Sequence, residues 1–173
     1  MEGFLDGLGR ALSDQNWHAA LVMSLTLPDI CVKASDLSKK TNRHKYATWF
    51  DENVGHKYTS AWPLAPGEKP HVFLSGYDCY ALRCAMLHAG SADITGQEVR
   101  RALESFHFCT PGVRDNRWHN VQRDGALLLM VDQFAQDMLE AAHVWWGALD
   151  PNRRDLARDT HLTLLDSDRL TSF

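Results

Sequence analysis

The chain predicts a mainly α-helical bundle with a small β-hairpin, and three observations carry that expectation. Apolar residues recur at helical spacing through residues 4–27, at Phe4, Leu5, Leu8, Leu12, Trp17, Leu21 and Leu25. They recur again through residues 126–149, where Leu127, Val131, Phe134, Met138, Ala141 and Trp145 alternate steps of four and three. Between them, residues 75–91 read as one helix with its own start and stop signals. Ser75 with Asp78 three residues on resembles a capping box, and Gly90 can adopt the left-handed conformation that ends a helix.

Taken in order, residues 4–27 form two helices broken near Ser13-Asp14, either of which can serve as an N-cap. Pro28 suits the first turn of a short continuation over residues 29–33. Residues 34–43 are polar and predict a loop. Tyr46, Trp49, Phe50 and Val54 mark a further amphipathic helix that Gly55 ends. Residues 56–74 hold Pro63, Pro66, Gly67 and Pro70, too many breakers for regular structure, and predict a long loop. After the 75–89 helix, residues 97–104 allow a short helical turn. Polar–apolar alternation over 105–109, Pro111-Gly112 and a second short run over 118–122 predict a hairpin spanning about 105–122. The longest helix follows over about 124–149, ended by Asp150-Pro151 and followed by a tail. No repeat or domain boundary divides the chain, so residues 1–173 read as a single helical domain.

At 173 residues and 45% hydrophobic, the chain is long enough to bury a real core. Its N-terminal residues lack the basic flank and apolar run of a signal peptide. No uncharged apolar run reaches the ~18 residues of a membrane span, since Asp132 and Asp137 interrupt the nearest approach. Four cysteines (Cys31, Cys79, Cys84, Cys109) are irregularly spaced and read as reduced, mostly buried thiols. A cytoplasmic protein without membrane contact is the expectation. The net charge of −4 argues against a broad nucleic-acid footprint, though not against a local phosphate site. The basic clusters Lys39, Lys40, Arg43, His44, Lys45 and Arg153, Arg154, Arg158 read first as solvated loop and tail charges.

The 75–89 helix is apolar nearly all round, so its polar residues need a reason to be there. At about 100° per residue, Asp78, Leu82, Ala85 and Met86 share one face. Tyr80, Cys84 and Leu87 share the other, flanked by Arg83 on one side and His88 on the other. Arg83 and His88 stand about 140° apart, too far to grip one small ligand from a single regular helix. They meet if the helix relaxes near Gly90, or if two copies pack this face across a two-fold axis. Histidine can take or return a proton at a ribose hydroxyl, and arginine can stabilise charge building on phosphorus.

Ala81-Leu82-Arg83-Cys84-Ala85-Met86-Leu87-His88 resembles the signature of the HEPN superfamily, an arginine followed after four to six residues by a histidine. That resemblance implies a small helical bundle that dimerises and, in many members, a metal-independent ribonuclease of toxin–antitoxin or phage-defence type. Under it, Arg83 and His88 are the catalytic residues, Asp78, Cys84 and Asp51 support or bind substrate, and no metal or cofactor is used. The implied partners are a second copy, RNA, and an antitoxin or regulatory protein. Residues 25–31, 46–51 and 76–83 also resemble a bacterial helical family of no assigned activity, which implies fold alone. Spacings in that range recur at Arg114/His119, with four residues between, and at Arg154/His161, with six; a capped apolar helix is what distinguishes Arg83/His88.

A reading from a different class stands beside it. Arg83 can be a structural ion pair with Asp29 or Asp51 in a non-catalytic module that binds a protein or a nucleotide, while His88 caps a helix end. Cys84 and His88 share a helix face, but no oxyanion hole or third group is legible for nucleophilic catalysis. Cys79 lies about 140° from Cys84, which argues against zinc. Gly3, Gly7 and Gly9 are followed by no Gly-Lys-Ser/Thr and make no phosphate loop. Trp145 and Trp146 are adjacent and point about 100° apart, so both are buried only if two faces of their helix are covered. A second copy or the docked tail would supply that cover.

Overall fold

The computed structural model describes residues 1–35, 40–60, 67–94, 103–112 and 116–160. Its described part is mainly helical with a small three-stranded sheet. Helix α1 (Glu2–Ser13) buries Leu5, Leu8 and Ala11 along one stripe. The break after it is made by Gln15, at a φ of 54°, and by Asn16, whose side chain accepts the Ala19 N–H at 3.2 Å. The N-cap of α2 (Trp17–Ser35) is therefore Asn16 rather than Ser13 or Asp14.

Pro28 does not restart a helix, because α2 runs through it. A proline removes one intrahelical bond, but its flanks Leu25, Leu27 and Cys31 are fully buried against neighbouring helices. α2 packs against α1, α3 (Arg43–Asn53), α4 (Gly76–Ala89), α5 (Val131–Ala148) and α6 (Pro151–Thr160), which makes it the central helix. Asn42 caps α3 by accepting the Lys45 N–H at 3.0 Å. The long-loop expectation for 56–74 holds only in part: a 3₁₀ turn covers Gly55–Tyr58, and Thr59 bridges to Val72. Residues 61–66 lie outside the described part, as do most of the turn expected at 97–104 and the tail beyond residue 160.

The expected hairpin over 105–122 is corrected. Strand β1 (Ser105–Cys109) pairs parallel with β3 (Ala126–Met130), and β2 (Val121–Arg123) pairs antiparallel with β3. The two segments expected to pair with each other instead flank β3 in the order β1-β3-β2. The hairpin that does form turns at Asp124-Gly125, both left-handed at φ 50° and 77°, as a two-residue turn requires. The long helix is corrected with it. Residues 126–130 are strand, with Leu127 and Leu129 fully buried, and α5 begins at Val131. Three consecutive leucines fit either period, and the Asp-Gly turn beside them decides for the strand. α6 is an addition: Asp150 accepts the Arg153 N–H at 3.2 Å and Pro151 takes the first helical position, so the pair that ends α5 also starts a helix.

The core runs through Tyr46, Phe50, Tyr58, Phe106 and Phe134, all fully buried. Trp145 meets Trp49 edge-on at 6.3 Å, and Trp146 is 6% exposed with its indole N–H 3.4 Å from Glu2 Oε1. The adjacent indoles are thus covered by α3 and α1 of one chain and need no second copy. No described helix is long and apolar enough to cross a membrane.

Candidate functional site

Helix α4 forms as its signals predict. Ser75 Oγ accepts the Asp78 N–H at 3.2 Å and donates to Asp78 Oδ2 at 2.6 Å. Gly90 ends the helix at φ 62°, where the Gly90 and Ser91 N–H groups return to the Met86 and Ala85 carbonyls. α4 crosses α3 so closely that a Cβ on Gly76 would lie 2.6 Å from Ala47 Cα. Only glycine permits that approach.

The sequence-predicted site residues fall into two groups. Asp51 and Asp78 serve the start of α4. Asp51 Oδ1 accepts the Gly76 N–H at 2.7 Å, and Asp78, 2% exposed, also accepts the Leu103 N–H at 3.4 Å. Burial pushes the Asp51 carboxyl above its usual range. Arg83, Cys84 and His88 lie further along, and at ~1.5 Å per residue Asp78 and His88 stand some ~15 Å apart along the axis. α4 stays α-helical through Ala89, so the relaxed end that would let Arg83 and His88 meet within one chain does not occur.

Arg83 has a partner already. Its Nη2 lies 2.8 Å from Asp29 Oδ2 on α2, with side-chain exposures of 24% and 19%. Its guanidinium sits over the Tyr80 ring at 6.0 Å. Burial raises the Asp29 carboxyl, with Arg83 pulling against it. Burial likewise lowers Arg83, but the Asp29 charge together with Cys84 carries it net upward. The charge on each partner favours the ionised form of the other, against the cost of burial. His88 is exposed in the last turn of α4, and no side chain among the described residues pairs with it. Cys31 and Cys79 are buried, and burial pushes the Cys79 thiol up to about 12. Cys84 is half-buried one turn before His88. Among the described residues no group of three or more His, Cys, Asp or Glu is placed to hold a metal.

Beside the Asp29–Arg83 pair lies an open depression of about 500 Å³ lined by Asp29, Ile30 and Lys33 of α2 and by Lys40 and Thr41 ahead of α3. The first turn of α3 adds Arg43, His44 and Lys45 and holds no acid. Cations at the positive end of a helix dipole cost stability. The basic cluster read from sequence as solvated loop charge therefore borders a concave surface; Lys39 lies outside the described residues.

A second constellation was missed by sequence reasoning. Asp137 of α5, 3% exposed, gathers Lys57 Nζ at 2.8 Å, Gln133 Nε2 at 3.0 Å and the Tyr58 hydroxyl at 3.1 Å, with His119 Nε2 at 4.0 Å. Lys57 also reaches Glu140 at 2.7 Å, and its carbonyl accepts Asn120 Nδ2 at 3.0 Å. The one signal was an acid on the inward face of the α5 apolar seam. No protein-family model, curated protein or solved structure matches this chain.

Proposed function

We propose that this protein is a helical binding module for a phosphate-bearing ligand, in which Arg83 is an ion-paired strut rather than a catalytic cation. The observation that carries the reading is the 2.8 Å contact between Arg83 and Asp29. A guanidinium already committed to a carboxylate, in a site about three-quarters dry, must break that pair to grip a phosphorane. The neighbouring depression supplies what a phosphate needs without it: the Lys33 and Lys40 ammonium groups and the positive end of α3. Asp29 at its edge is neutralised by Arg83, so its charge does not repel the ligand.

A second reading, a HEPN-type ribonuclease, is favoured by one observation. His88 is exposed and unpartnered among the described residues, as an acid/base group must be. In that reading the site is shared between two copies, because a regular α4 holds Arg83 and His88 about 140° apart.

One pair of measurements separates them. A short fluorescent oligoribonucleotide is titrated into wild type and into the Lys33→Glu/Lys40→Glu variant, and RNA cleavage is followed in EDTA for wild type and His88→Ala. The binding module predicts affinity falling about tenfold or more in the lysine variant, ~1.4 kcal/mol, with no cleavage above background in either protein. Cleavage that His88→Ala abolishes while remaining folded would establish the ribonuclease instead. Unchanged affinity in the lysine variant would remove the depression as the binding surface.

A further inference from the structure

His119 sits where segment 116–123 meets the start of α5, and its Nδ1 is held by a backbone donor. Nδ1 accepts the Met130 N–H at 3.2 Å, and Met130 is the residue that caps α5. An imidazole nitrogen that accepts a hydrogen bond carries no proton, so the ring proton is on Nε2. Nε2 faces Asp137 Oδ2 at 4.0 Å, and the Tyr58 ring packs at 5.5 Å. The ring is thus fixed as a neutral tautomer by a backbone donor.

Every element around it bears on its charge. From the 3₁₀ turn, Lys57 neutralises Asp137 at 2.8 Å and Tyr58 donates to the same carboxylate. From α5, Asp137 and Asp132 favour an imidazolium; Asp132 is held by Arg117 at 2.9 Å. Arg117, on the same segment as His119, opposes it. The positive end of the α5 dipole opposes it too. Burial is the largest influence, and the balance holds His119 below its ordinary range.

We infer that His119 is an acid-operated latch: protonation of Nδ1 sets two donors face to face at Met130, ejects the ring and loosens residues 118–120, between the Arg117–Asp132 pair and strand β2, from the start of α5. The released Met130 N–H loses its partner, and Asn120 lets go of the Lys57 carbonyl. Trp118, 53% exposed beside the latch, moves with the segment. The sign follows from linkage. The folded pKa lies below the unfolded one, so the latch contributes fully above about pH 6.5 and is lost as pH falls through the folded value.

The test is hydrogen exchange at Met130 in the full chain, corrected for intrinsic rates, between pH 7.5 and pH 4.5. Wild type is expected to lose at least tenfold in protection across that range. His119→Asn, whose side-chain oxygen can accept the same N–H without titrating, is expected to lose none. Flat protection in wild type overturns the latch, and so does an equal fall in His119→Asn, which would place the titration on Asp132 or Asp137. Nitrogen chemical shifts of the wild-type ring are a second measurement independent of any variant. An Nε2–H tautomer at pH 7.5 is expected, and Nδ1–H would overturn the proposal.

Discussion

At the scale of single residues, the Arg83–Asp29 pair is the clearest case of a polar contact whose worth depends on what is removed. Deleting either partner strands the other in a site about three-quarters dry or drier. Arg83→Ala is expected to cost about 1–3 kcal/mol and Asp29→Asn somewhat less, whereas an apolar pair of similar volume at both positions is expected to be near neutral. Urea denaturation of the three variants checks this. A double replacement that costs well over ~1 kcal/mol instead of being near neutral would show that the pair contributes net stability. Asp29 was one of two partners legible in the sequence as a counter-ion for Arg83. The other, Asp51, instead accepts the Gly76 N–H where α3 and α4 cross.

At the scale of elements, local chemistry decided the boundaries of α4, and long-range pairing decided those of the sheet. Ser75 and Gly90 act on groups within one turn, so their signals are complete in the sequence. Gly76 carries a signal the sequence does not state, since its need comes from Ala47 of another helix. Gly76→Ala is expected to destabilise by about 1–3 kcal/mol by forcing α3 and α4 apart, despite alanine's better helix propensity. Thermal unfolding measures it, and an unchanged or raised midpoint would mean that the crossing relaxes freely. The hairpin and the start of α5 were misplaced for one reason. Residues 126–130 satisfy the helical seam, yet β1 and β2 approach them from both sides and claim their backbone groups. Hydrogen bonding of a strand is decided by partners distant in sequence, which periodicity alone does not report.

At the scale of the whole molecule, the Lys57–Asp137 network ties the 3₁₀ turn, the 116–123 segment and α5 into one body. Asp137 is 4% exposed at its side chain and relies on Lys57 for its counter-charge. Lys57→Met is expected to cost about 3 kcal/mol at neutral pH. The deficit should shrink toward acid, because the stranded carboxyl would then take up a proton more readily folded than unfolded. Stability of the variant at pH 7 and near pH 4.5 tests both parts, and a deficit that grows in acid would contradict the second.

The amino-acid sequence by itself determined the helical class, the capped α4 and the apolar stripes that bury α1 and α5. Each of these follows from forces acting within a few residues of one chain segment. The tertiary structure decided which carboxylate Arg83 meets, that Pro28 is carried inside a helix, and that a leucine run becomes a central strand. It also assembled Asp137, Lys57, Tyr58 and His119 from separate elements. Those outcomes depend on burial and on backbone partners brought together only when the helices pack, where desolvation makes each polar group take whatever counterpart lies within reach.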